Sequence, residues 1–223
     1  MASKRGNDSL EQAAYKKLRR RVVHVFSEGK VTEPSYIEII RAQGVPKDAA
    51  TTPDVRIAND RAPGSQRKPI KLVEAAVTLM REETRKAKKA KVAAKLMPEV
   101  WCLFDRDEHE SIEAALKMAK EGNVKVAFSH PCFELWRLLH HKPVASSFGG
   151  VCDEAVKLLP FATDTQNIKV VQPGEIERGS YAVAKKRALE INAAYGDHVS
   201  KIHRDPYTDV FKFVEDGLGI ASY

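Results

Sequence analysis

The chain has 223 residues, 43% of them hydrophobic, which is enough to bury a core without disulfides and excludes an intrinsically disordered protein. Thirty-seven Lys and Arg against 30 Asp and Glu give a formal net charge of +7, a balance that favours polyanionic partners and does not by itself identify one. No apolar run approaches the ~20 residues of a membrane span, and no apolar stretch follows the charges of Met-Ala-Ser-Lys-Arg. A cytoplasmic protein without membrane attachment is therefore expected.

In chain order, residues 1–20 read as a basic helical segment with a modest face of Ala13, Ala14 and Leu18. Residues 21–26, β-branched and aromatic, form the first strong strand, ended by Ser27-Glu28-Gly29-Lys30. A helix follows, with Thr32 as cap and Pro34 in its first turn, and Gly44 stops it. Glu33 reads as an acid decorating that helix start. A short strand is expected over 54–58, and the polar stretch 59–68 reads as an exposed loop. Pro69 opens a long helix, apolar at Ile70, Val73, Val77 and Met80. Its Lys/Arg/Ala-rich back half, 81–95, is either a solvated face or a nucleic-acid contact.

The run 99–104 is nearly all apolar, as in a parallel strand buried on both faces, and leads straight into Asp105-Arg106-Asp107-Glu108-His109. A helix over 111–120, a Gly122-Asn123 turn and a strand over 124–128 come next. Pro131 is placed at the first position of a further helix, with His130 as its cap. Residues 142–175 are irregular, and helices near 180–195 and 208–215 close the chain. Alternating strands and helices predict an α/β domain with a mostly parallel central sheet flanked by helices. The expected division is an N-terminal segment 1–20, a catalytic core 21–141 and a helical C-terminal extension 142–223. Cys102, Cys132 and Cys152 have no metal-knuckle or redox-motif spacing and read as small buried residues in a reducing compartment.

Ligands of parallel sheets bind at the carboxyl ends of strands. Glu28 follows the first strand there, and Asp105 and Asp107, two apart, follow a later one. Such a set suits Mg²⁺ or Mn²⁺, with Asp105 and Asp107 as ligands and Glu28 as a third ligand or as general base or acid. Glu134 is either a further ligand or a helix-dipole partner. Lys30 and Arg106 are phosphate-binding or solvated cations. His109 and His130 are proton-transfer and substrate-binding candidates, or surface and capping histidines.

The segments Ser27-Glu28-Gly29-Lys30-Val31-Thr32-Glu33-Pro34-Ser35-Tyr36, Phe104-Asp105-Arg106-Asp107-Glu108-His109 and Ser129-His130-Pro131-Cys132-Phe133-Glu134-Leu135-Trp136, with Leu138-Leu139-His140 and Asp205-Pro206-Tyr207-Thr208, resemble the RloB-like family. His130 and Asp205 stand where that family often has Asn. The resemblance implies a toprim-like nuclease domain with Glu28, Asp105 and Asp107 around Mg²⁺. It also implies DNA or RNA, including transfer RNA, as substrate, an ABC-type ATPase partner, and a role in restriction-linked abortive phage defence in bacteria. Self-association stays open. The rival expectations are a phosphatase of the haloacid-dehalogenase type, with Asp105 as nucleophile, and a non-catalytic adaptor or sensor.

Overall fold

The computed structural model describes residues 20–106, 111–162 and 168–223. The expected basic segment 1–20 falls almost wholly outside them. Strand β1 (Val22–Ser27) is an interior strand of a five-stranded sheet and is buried along its whole length. Its β-branched residues suit that position. Beside it run β3 (Asp54–Ile57) and β4 (Glu99–Asp105), both parallel to it, with Val23 facing Val55 and Val25 facing Trp101. Strand β5 (Lys125–His130) pairs parallel with β4, and β6 (Tyr207–Thr208) closes the far edge antiparallel to β5, giving the order β3-β1-β4-β5-β6. The mixed α/β fold with a mostly parallel sheet expected from the sequence is what the chain adopts. A separate antiparallel pair joins β2 (Val45–Pro46) to β7 (Ile220–Ser222).

Period-two alternation splits the sheet's side chains between two layers. Val23, Val25, Trp101, Leu103 and Ala127 pack with helices α1 (Thr32–Gln43), α4 (Glu134–His141) and α6 (Ser180–Ala193). Phe26, Val100, Cys102, Phe104 and Phe128 pack on the other face with α2 (Pro69–Lys89) and α3 (Ile112–Glu121). Pro69 opens α2 as expected. The apolar stripe of α2, however, runs on past Met80 through Ala87, and Glu83 is buried against His24 Nε2 at 3.4 Å, so its back half is not a wholly solvated face. Gly122 lets α3 end against α2, since a Cβ there would meet Val77 Cγ2 at 2.4 Å.

Four expectations need correction. His130 is not a helix cap: it ends β5, the His130–Pro131 bond is cis, and α4 begins at Glu134 after Phe133. The loop 59–68 is not simply exposed, because Asn59 and Arg67 are buried (6% and 4% exposed). The helix expected near 208–215 is present but starts later: strand β6 comes first, then the one-turn α7 (Val210–Lys212), which continues as a π-turn over Phe213–Gly217. Cys132 and Cys152 are not isolated: they form a disulfide with Cα atoms 5.5 Å apart, and Cys152 opens the short helix α5 (Cys152–Val156). Cys102 is a free, buried residue as read. No helix among the described residues is long and apolar enough to cross a membrane.

Candidate active site

The chain leaves β1 for β3 on one side, then returns across the sheet to β4 on the other. The carboxyl ends of β1 and β4 therefore part at a topological switch point, where doubly wound sheets bind ligands. Glu28 and Asp105 are the residues placed there. The Glu28 backbone N–H donates to the Leu103 carbonyl at 2.9 Å, and Glu28 Oε2 accepts from the Asp105 backbone N–H at 3.1 Å. Asp105 Oδ2 in turn accepts the Phe133 N–H at 3.0 Å, which ties the start of α4 to the end of β4.

Two further carboxylates enter from the helices of the same face. Glu33, in the first turn of α1, is only 3% exposed, and its Oε1 accepts the Gly29 N–H at 3.1 Å. A Cβ at position 29 would lie 2.0 Å from Glu33 Oε2, so glycine there lets the Glu33 carboxyl sit against the turn. Glu134, at the start of α4, has Oε1 3.7 Å from the buried Arg137 and Oε2 3.7 Å from Cys152 Sγ. Arg137 also holds Glu175 at 2.5 Å and the Ile168 carbonyl at 2.6 Å.

The electrostatics are those of like charges gathered in a shielded place. Burial pushes Glu33 up to about 7; Glu134 and Glu28 add to the rise, while its own and the Gly29 N–H groups oppose it. Asp105 is held well above the usual carboxylate range by burial first, then by Glu33, Glu134 and Glu28. Glu134 is raised by burial, against the pull of its own N–H, Arg137 and Lys169. Three neighbouring carboxyls held above their ordinary values form an anionic pocket that a cation would relieve. The donors are hard oxygens, the class Mg²⁺ and Mn²⁺ take. Among the described residues no three of these carboxylates bring oxygens within 4.8 Å of one another. The one such trio is Cys132, Glu134 and Cys152. Wider spacing suits Mg²⁺, which keeps several waters between itself and its protein ligands.

The turn that carries Glu28 is braced from beneath. Asn59 grips Ser27 with both ends of its amide, at 3.1 Å to the N–H and 2.8 Å to the carbonyl. The Arg67 guanidinium reaches five carbonyls, those of Ser27, Gly29, Asn59, Asp60 and Ala62. Among the described residues its acceptors are neutral carbonyls, which leave its charge in place beneath the turn that carries Glu28.

Of the residues expected from sequence, Glu28, Asp105 and Glu134 come together here. Asp107 and His109 lie outside the described residues. Lys30 is exposed on the turn after β1. Arg106 follows the end of β4, His130 ends β5, and the two are near one another. Burial lowers the His130 pKa, with Arg106 adding to the effect and Asp205 opposing it. Asp205 itself organises a loop, its Oδ2 accepting from Ser147 Oγ at 2.8 Å, Phe148 N at 3.1 Å and Gly150 N at 2.8 Å. Glu33, Asn59, Arg67 and Arg137 were missed as site residues.

A family model described as RloB-like protein matches residues 23–216. No curated protein and no solved structure matches the chain.

Proposed function

The chain belongs to the RloB-like family, and from that premise we propose that it is a Mg²⁺- or Mn²⁺-dependent nuclease-type effector of toprim-like design, which cleaves phosphodiester bonds in nucleic acid. The observation that carries this reading is the contact of Glu28 with Asp105 at the switch point, inside a set of carboxyls that hold one another's protons. In it Glu28 and Asp105, with Asp107, hold the cation, and Glu134 serves as an outer ligand. A divalent cation there supplies Lewis-acid polarisation of the scissile phosphate and neutralises charge on the departing oxygen. Phe133 N–H and Arg67 fix the two ligand-bearing turns, so the carboxylates are oriented before substrate arrives. Glu33, protonated up to about pH 7, is placed to deliver a proton to an oxygen leaving the site. Arg106 and Lys30 are the cations we assign to neighbouring phosphates, with Lys169 beside Glu134.

The haloacid-dehalogenase reading is weaker. In that type the acidic pair usually continues with Gly and Thr or Val near the chain start, whereas Asp105-Arg106-Asp107 lies mid-chain and is followed by Glu108-His109. The role in phage defence and control by an ABC-type ATPase, docking on residues 142–223, complete the proposal. The test is incubation with mixed DNA, transfer RNA and other RNA in Mg²⁺, Mn²⁺ or EDTA, with and without the ATPase. Cleavage with Mg²⁺ or Mn²⁺ that EDTA and Asp105→Asn both abolish is the expected result. An Asp105→Asn protein that still supports defence, with no cleavage by either form, would establish the adaptor instead.

A further inference from the structure

The Cys132–Cys152 pair touches the carboxylate cluster directly. Cys132 is buried between Pro131 and Phe133, and Phe133 is the residue whose N–H holds Asp105. Two positions on is Glu134. Cys152 is only partly buried, and its sulfur lies 3.7 Å from Glu134 Oε2. The bond thus staples the start of α4, with its carboxylate, to the loop that Asp205 organises through Ser147, Phe148 and Gly150. Cys102 is wholly buried in the opposite layer and takes no part.

We propose that Cys132 and Cys152 form a reversible thiol–disulfide site that sets the availability of Glu134 to a divalent cation, a proposal that rests on the cation-binding reading above. The oxidant is a small-molecule disulfide. The Cys152 sulfur gives up its proton and attacks one sulfur of that disulfide, expelling the first small thiolate and leaving a mixed disulfide. Cys132 then gives up its proton and attacks the Cys152 sulfur, expelling the second. Two protein thiols and one small disulfide become one protein disulfide and two small thiols, so two electrons pass to the small molecule and the protons balance. The exposure order supports this sequence: Cys152 is reachable from solvent, whereas Cys132 is reachable from Cys152.

Both consequences for Glu134 have the same sign. In the reduced protein the Cys152 S–H donates to Glu134 Oε2 and occupies a lone pair. In the oxidised protein that sulfur has no proton to give, and the staple holds the first turn of α4 against β4. Oxidation therefore presents Glu134 to the cation, and reduction withdraws it.

The experiment uses the full chain, oxidised with glutathione disulfide or reduced with a phosphine. Thiols are counted after acid quenching and unfolding, and Mg²⁺ and Mn²⁺ are titrated on the folded protein by calorimetry and thermal shift. The expected result is one free thiol after oxidation and three after reduction, from the three cysteines present. Cation affinity should be about tenfold tighter in the oxidised form, the scale of one hydrogen bond no longer competing for the carboxylate oxygen. Cys152→Ser, which keeps a donor to Glu134 and cannot oxidise, should bind like the reduced wild type under both conditions. Equal cation affinity in the two wild-type forms would overturn the coupling and leave the nuclease reading intact. No cation binding in either form, with thiols that still cycle, would sink the cation reading and the coupling with it. Stoichiometric Zn²⁺ on the reduced protein, lost in Cys152→Ser, would replace the switch with a thiolate metal site.

Discussion

Helices α1 and α4 each carry two kinds of buried polar group, one turn apart, and the two kinds behave oppositely. At the sheet end, Glu33 and Glu134 join Glu28 and Asp105 in a cluster where burial and like charge work against ionisation. One turn further in, Tyr36, Trp136 and His140 meet Tyr223 in a network where every proton has a destination. Trp136 Nε1–H donates to Tyr36 at 2.7 Å, Tyr36 lies 2.6 Å from the Tyr223 hydroxyl, and that hydroxyl is 2.9 Å from His140 Nε2. His140 Nδ1 is 2.9 Å from the Trp136 carbonyl, which can only accept, so Nδ1 carries the proton. Burial pulls His140 down to about 4, hence it is neutral and Nε2 accepts from Tyr223. The direction of the whole chain follows: Trp136 to Tyr36 to Tyr223 to His140 and back to the Trp136 carbonyl. A satisfied network of this kind fixes a fold; a cluster of mutually opposed carboxyls stores affinity for something absent.

The comparison breaks most sharply on Asp105→Asn. The substitution removes a carboxyl whose ionisation burial and its neighbours oppose, so the cation-free protein should melt at the same temperature or slightly higher. Wild type at about a hundredfold excess over Kd should gain roughly 2.7 kcal/mol from Mg²⁺, a shift of several degrees for a chain of this size, and the variant should gain almost none. A melt that collapses without metal would make Asp105 a structural anchor for Phe133. Next in size is Tyr36→Phe. It leaves the Trp136 N–H and one side of Tyr223 unpartnered in the core, at a cost of about 1–3 kcal/mol. The Mg²⁺ increment should survive intact, and its loss would show that the two regions are one.

The smallest effect concerns pH, where the regions have opposite signs. Glu33 is raised from 4.5 to about 7, so the folded state holds the extra proton between those values. Its contribution is complete below about 4.5 and is lost as pH rises through 7. His140 is lowered from 6.5 to about 4, so its contribution is lost as pH falls through that window. Glu33→Gln should therefore gain on wild type steadily between pH 4.5 and 7 in EDTA. A difference in melting temperature that is flat with pH would show that Glu33 is not the protonated acid.

Much of this was legible in the sequence because strand ends announce themselves. The apolar runs before Glu28 and Asp105 fixed both the parallel sheet and the edge at which the acids emerge. Glu33 was not legible as a site residue, since an acid in a helix's first turn looks the same whether it faces water or a neighbouring carboxylate. Asn59 and Arg67 were hidden by composition: a polar stretch reads as exposed, although a buried guanidinium can be satisfied by carbonyls alone. The partner of Tyr36 lies 187 residues away, and no local pattern carries that distance. Strand β6, two residues long, is too short to show a period, and the pairing of Cys132 with Cys152 depends on how α4 and α5 dock.

Arg67 makes the stretch from Asn59 to Arg67 and the turn after β1 a single mechanical unit, because one side chain holds carbonyls of both. A linker, tag or cleavage site placed between Pro63 and Gln66 would look harmless by composition. It would pull the guanidinium from under Ser27 and Gly29 and release Glu28 from its bearing. The segment is best treated as the hinge pin of the carboxylate turn, and its length is as constrained as that of any strand in the sheet.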